Sequence, residues 1–97
     1  MTARPADVTL DTILTRSSEV LFQEVGGEAV LLDLASEQYF GLDPVGTRIW
    51  ALLAESAQLR AVHARLCEEF DADADLIAAD LITLTQALAG AGLVKVD

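Results

Sequence analysis

Only one of the 97 residues is a cysteine and only one a histidine, Cys67 and His63. A lone thiol forms no internal disulfide, and one imidazole beside it supplies too few ligands for a zinc or iron–sulfur centre. The pattern suits a reducing, cytoplasmic setting with no metal and no cofactor. Positive charge is scarce too: six Lys and Arg stand against sixteen Asp and Glu, a formal net charge of −10. Nucleic-acid binding depends on clustered cations, so this balance argues against it. Long apolar runs are missing, because Asp, Glu or Arg interrupts every stretch well short of the ~20 residues a membrane span needs. The opening MTARPADVTLD has no basic segment followed by an apolar run and does not read as a signal peptide. Hydrophobic side chains, by contrast, make up 53% of the chain, enough to fill the single core that a fold of this length builds.

Residues 1–17 show neither a helical nor a strand period and read as a flexible arm, with a short strand near Val8 to Leu14. The domain proper is expected over 18–97. Glu19 to Val25 is rich in Val, Leu and Phe and stops at Gly26-Gly27, a dipeptide suited to a two-residue hairpin turn. Glu28 to Leu34 then reads as the return strand, with Val30, Leu32 and Leu34 on the core face. After the polar Ala35-Ser36-Glu37, the residues Gln38-Tyr39-Phe40-Gly41-Leu42 form a third strand, completing an antiparallel meander.

The period then changes. Asp43-Pro44 is a strong helix start: the carboxylate caps free N–H groups, and Pro at the first position forfeits only a donor without a partner. Ile49, Trp50, Leu52 and Leu53 follow at helical spacing. A second helix, expected from Ser56, carries Leu59, Val62, Leu66 and Phe70 on one stripe. Asp73 caps a third with the stripe Ile77, Leu81, Leu84 and Leu88, ended by Gly90 and Gly92, and Leu93 to Val96 suits a short terminal strand. The expected class is α+β, a three-stranded antiparallel sheet packed on a three-helix bundle.

Catalytic chemistry is hard to find here. His63 and Cys67 are four residues apart and share a helix face, which allows a Cys/His dyad; the ordinary reading is a partly exposed imidazole beside a small buried thiol. Asp71, Asp73, Asp75 and Asp80 lack the glycine and terminal Glu of a twelve-residue calcium loop, and capping accounts for Asp73 and Asp75. Gly26-Gly27 lies in no phosphate-loop spacing. No catalytic residue is assigned.

A binding surface remains. If the strands lie in sequence order, the third presents a row of unpaired N–H and C=O groups from Gln38 to Leu42, with no charge or proline to protect it. Such an edge either accepts a strand from another chain, including a second copy in an edge-strand homodimer, or is covered by the arm.

The residues GGEAVLLDLASEQYFGLDPVGTRIWALL, Gly26 to Leu53, and EEFDADADLIAADLITLTQALAGAGLVKVD, at the C-terminus, resemble the PqqD-like family of leader-recognition domains for ribosomally made, modified peptides. The resemblance runs roughly from Ser18 to the end. It implies a winged helix-turn-helix-like domain without catalysis, which binds a precursor leader peptide as an added strand in a groove between the third strand and the third helix. Carried onto this chain, the peptide-binding residues are Gln38, Tyr39, Phe40, Gly41 and Leu42 on the strand. On the helix, geometry selects Leu76, Asp80, Thr83 and Ala87; a rotation of one residue substitutes Ala79, Ile82 and Gln86. Asp80 would accept a hydrogen bond from the leader or pair with its Lys or Arg, if it is not simply a solvated charge. Size and the motif YFGLDPVGTRIW look most like the stand-alone proteins of lasso-peptide biosynthesis, whose partner is a leader protease. Members that assist pyrroloquinoline quinone assembly, beside a radical enzyme, are similar.

Two further classes share the size and helical content. A winged-helix DNA binder needs cations on its third helix, yet no Lys or Arg occurs between Leu66 and Val94. An acyl-carrier-like protein needs a helix-start Ser in an Asp-Ser-Leu setting, and neither Ser36 nor Ser56 has it.

Overall fold

The computed structural model describes residues 8–96. Their elements run β1 (Leu14–Arg16), β2 (Val20–Val25), β3 (Glu28–Asp33), β4 (Gln38–Leu42), α1 (Pro44–Glu55), α2 (Leu59–Glu69), α3 (Ala74–Gly90) and β5 (Val94–Val96). Strands β2, β3 and β4 form an antiparallel sheet in that order, and β1 pairs with β5 in a separate two-stranded ladder. The α+β class and the meander over three helices are as the sequence implies.

Local chemistry sets each junction. Gly26 and Gly27 take φ of +64° and +85°, the left-handed pair that a tight hairpin needs, and Val25 pairs with Glu28 across it. At the β3–β4 turn Asp33 acts as a clamp. Its Oδ1 accepts from Ala35 N at 3.1 Å and its Oδ2 from Ser36 Oγ at 2.8 Å. At α1, Asp43 Oδ1 accepts from Gly46 N at 2.7 Å with Pro44 in the first position. At α3, Asp73 Oδ1 accepts from Asp75 N at 2.8 Å.

Three expectations need correction. The core face of β3 carries Ala29, Leu31 and Asp33, all buried, whereas Val30 and Leu34 are exposed and Leu32 is half-buried. Both faces of this strand are apolar, so alternation alone does not orient it, and a one-residue shift of phase exchanges the faces. Helix α2 begins at Leu59, not Ser56. The chain before it is used otherwise: Leu14 N donates to Ala57 O at 2.8 Å, Leu59 N donates to Thr12 O at 3.2 Å, and Ile13 bridges Gln58. The strand expected near Val8 to Leu14 lies instead at Leu14–Arg16, where β5 offers a partner. Residues 1–7 of the expected arm lie outside the described residues, while Val8 and Leu14 are buried in the core.

That core gathers Ala29, Leu31 and Leu42 from the sheet, Ile49, Trp50, Leu52 and Leu53 from α1, Leu59, Val62 and Leu66 from α2, and Leu81 and Leu88 from α3. Val8, Leu14, Leu93 and Val94 close it below. Arg16 lies over the buried Trp50, its Cζ 4.6 Å from the ring centroid, and its Nη1 donates to Trp50 O at 3.2 Å. Thr85, also buried, satisfies its hydroxyl by donating back to Leu81 O at 2.8 Å. No helix among the described residues is long and apolar enough to cross a membrane.

Candidate peptide-binding groove

Strand β4 stands at the border of its sheet, with β3 on one side only. Which of its amides are free follows from the ladder. Leu34 N donates to Glu19 O at 2.9 Å, so these two form a hydrogen-bonded pair of the β2–β3 ladder. Such pairs alternate with non-bonded ones, which puts Leu32, Val30 and Glu28 in the same class and turns the backbone groups of Ala29, Leu31 and Asp33 toward β4. Their partners there are Leu42, Phe40 and Gln38. The N–H and C=O groups of Tyr39 and Gly41 therefore point away from the sheet, into the open border.

Side-chain directions complement this. Phe40 is half-buried and Leu42 buried, both on the core face, so they anchor the strand to the helices. Gln38 is exposed on that face at the turn, and the Tyr39 side chain stands out on the opposite face. A Cβ placed on Gly41 would meet nothing within 4 Å, so no crowding inside the chain demands glycine there.

At the end of β4 a cavity of about 350 Å³ opens between the first turns of α1 and the middle of α3, lined by Asp43, Val45, Gly46, Ile49, Asp80, Thr83, Leu84 and Ala87. A smaller apolar cavity of about 100 Å³ shares Val45, Ile49 and Asp80 with it and continues to Leu66, Phe70, Ala72 and Ile77. The two form one groove along α3, floored by α1. Gly46 lets α1 pack closely against α3 and its own cap, because a Cβ there would come 3.1 Å from Asp43 Oδ1 and 3.3 Å from Leu84 Cδ2. Asp43 is committed to the α1 cap. Asp80, exposed and without a hydrogen-bond or ion-pair partner among the described residues, lines both chambers.

Of the helix residues expected as a wall, Asp80, Thr83 and Ala87 line the cavity; Leu76 does not, and it is 64% exposed. The rotated set Ala79, Ile82 and Gln86 is absent from the lining. The α1 floor, Val45 and Ile49, lies outside the residues expected from the sequence. Their i,i+4 spacing directly after Pro44 was the available signal, since it places both on one face of the first turns.

His63 and Cys67 meet but form no base–thiol pair. Nε2 of His63 lies 2.9 Å from Ala74 O and 3.4 Å from Cys67 Sγ. A carbonyl only accepts, so the bond to Ala74 puts the proton on Nε2 and leaves that nitrogen no lone pair for the thiol. The contact ties α2 to the start of α3. Among the described residues, no group of three or more His, Cys, Asp or Glu is placed to hold a metal ion.

Comparison with known proteins bears on the same region. The profile of the family described as coenzyme PQQ synthesis protein D (PqqD) matches residues 28–94. Among solved structures, that of TbiB1 in complex with the TbiA(beta) leader peptide is similar, with a TM-score of 0.76 and 36% sequence identity over 82% of this chain and 93% of that one. No curated protein matches the chain.

Proposed function

The chain belongs to the PqqD family, and from that premise we propose that it is a non-catalytic binding protein for the leader of a ribosomally made precursor peptide. The leader adds as a strand to the free border of β4 and lays side chains into the groove between α1 and α3, from which the precursor is presented to a leader protease or other modifying enzyme in a lasso-type pathway. The observation that carries this reading is the coincidence of an uncovered strand border with an apolar groove at its end. The leader complex of the TbiB1 neighbour supports it. Tyr39 and Gly41 supply the main-chain ladder. Val45, Ile49, Ile77 and Phe70 accept apolar side chains, and Asp80 accepts a donor or cation from the leader. Gln38, Phe40 and Leu42 hold the strand in place, Thr83 and Ala87 shape the wall, and Leu76 flanks it from solvent.

Position 41 gives a clean test. Gly41→Pro removes an N–H that points away from β3, so the internal ladder survives, as proline is tolerated at strand borders. Leader affinity, measured by calorimetry with a synthetic leader peptide, should fall about tenfold, the scale of one lost hydrogen bond. Gly41→Ala keeps the donor and should bind as the parent does. Phe40→Pro is the contrasting variant: its amide faces β3, so it should lower the melting temperature as well. Parent-like leader binding by a folded Gly41→Pro protein would exclude strand addition.

The family description itself favours a second pathway, assembly of pyrroloquinoline quinone, for which the partner expected from the resemblance is a radical enzyme. Co-expression with the neighbouring reading frames separates the two: a short precursor with a protease in the eluate selects the lasso reading, a radical enzyme the other.

A further inference from the structure

The sheet has two faces, and only one is used by the core. Opposite it, Leu21, Leu32 and Tyr39 form one cross-strand row, and Val30 stands in the next. Tyr39 is 75% exposed, Leu21 55% and Val30 43%, and Leu34 continues the face beyond β3 at 50%. A solvated face of an antiparallel sheet is ordinarily polar, and a contiguous apolar one marks an interaction surface. The margins of this face are acidic. Glu19, opposite Leu34, and Glu28, opposite Val25, are exposed on it at its two ends, and no Lys or Arg occurs between Arg16 and Arg48.

We propose that this outer face docks a second protein, the enzyme that acts on the bound peptide, through an apolar patch bordered by Lys and Arg. That the occupant is this enzyme rests on the leader-binding reading; that the face is a docking surface does not. A second copy is a poor occupant, because each carries a net charge of −10 and acidic margin would meet acidic margin. Placement also favours an enzyme. Tyr39 has its amide groups on the free border and its side chain on the outer face, so a partner seated here lies directly beside a peptide paired with β4.

The test is calorimetric titration of the purified chain with the purified leader-processing or modifying enzyme encoded beside it, with leader affinity measured in parallel. The double variant Leu21→Lys/Val30→Lys should weaken enzyme binding at least about tenfold and leave leader affinity within about twofold. Glu19→Lys/Glu28→Lys should weaken it as well and flatten its salt dependence. If the lysine pair unfolds, Leu21→Gln/Val30→Thr carries the same expectation. Enzyme affinity unchanged by every face variant, or no binding of the enzyme at all, overturns the proposal. So does a parent dimer in sedimentation that the face variants dissociate, which would make a second copy the occupant. Loss of leader binding with face-dependent enzyme binding intact would refute the leader reading and leave the docking face standing.

Discussion

At the scale of single residues the sheet offers a sharp contrast between neighbours. Leu31 is fully buried beneath α1 and Val30 points to solvent. Leu31→Ala should destabilise the fold by about 2–5 kcal/mol, transfer and cavity costs together. Val30→Ala should stay within about 0.5 kcal/mol, as surface changes do. Urea melts of the two variants check both, and equal losses would mean that the phase of β3 is wrong. That phase was not legible in the sequence, where the expected core residues were Val30, Leu32 and Leu34. The run Ala29-Val30-Leu31-Leu32 is apolar at every position, and such a strand carries no polar-out signal. Asp33 at its end even points to the opposite phase, because its carboxylate is spent on the turn amide of Ala35 and the hydroxyl of Ser36 and so sits inward at little cost. Asp80 illustrates the converse: an acid on an apolar stripe was visible in the sequence, and the structure sets it at the junction of two chambers.

At the scale of elements, legibility followed the strength of local chemistry. Helices α1 and α3 begin where Asp43-Pro44 and Asp73 dictate, because a side chain within the segment satisfies their first amides. Helix α2 has no side-chain cap at Gln58, and its start is set by a distant segment, Thr12 to Leu14, that no local pattern reveals. The α1–α2 contact is held by a forked ion pair, Arg48 Nε and Nη2 each 2.6 Å from a Glu69 oxygen, with Arg65 Nη2 at 3.7 Å. The hydrogen bond from Arg48 holds the Glu69 carboxyl below the usual glutamate range, against the opposing effect of desolvation. A depressed carboxylate stabilises the fold above its unfolded pKa and loses that contribution as pH falls through its folded value. Glu69→Gln should therefore lower the melting temperature at pH 7 by a few degrees or less, as the pair is solvent-exposed. The gap from the parent should narrow steadily as pH falls below the usual glutamate range. A gap that persists there would assign the loss to packing of the Glu69 stem.

At the scale of the whole molecule, an early and a late segment of the described residues are joined. Strands β1 and β5 lie some eighty residues apart in sequence, and this is why the opening segment read as a loose arm: its partner is remote, and three-residue strands leave almost no period to detect. A chain starting at Ser18, the boundary that the sequence alone suggests, would lose the buried Val8 and Leu14, the β1–β5 ladder and the Arg16 cap on Trp50. Full burial of one such aliphatic side chain stabilises by roughly 1.5–3 kcal/mol, so the truncation should cost about 3–6 kcal/mol. Against a total of about 5–15 kcal/mol for a domain, that is a large fraction. Each kcal/mol shifts the midpoint of a domain this size by about 4–8 °C, so the truncated chain should melt at least about 12 °C below the full one. The proposed binding surface, the β4 border and the groove between α1 and α3, contains none of the deleted residues, so leader affinity measured well below the new midpoint should stay near that of the full chain. A truncated chain that melts with the parent would show that residues 8–17 only rest on the core. Leader binding lost from a chain still folded would instead place the opening segment in the groove, beside β4, and not against β5.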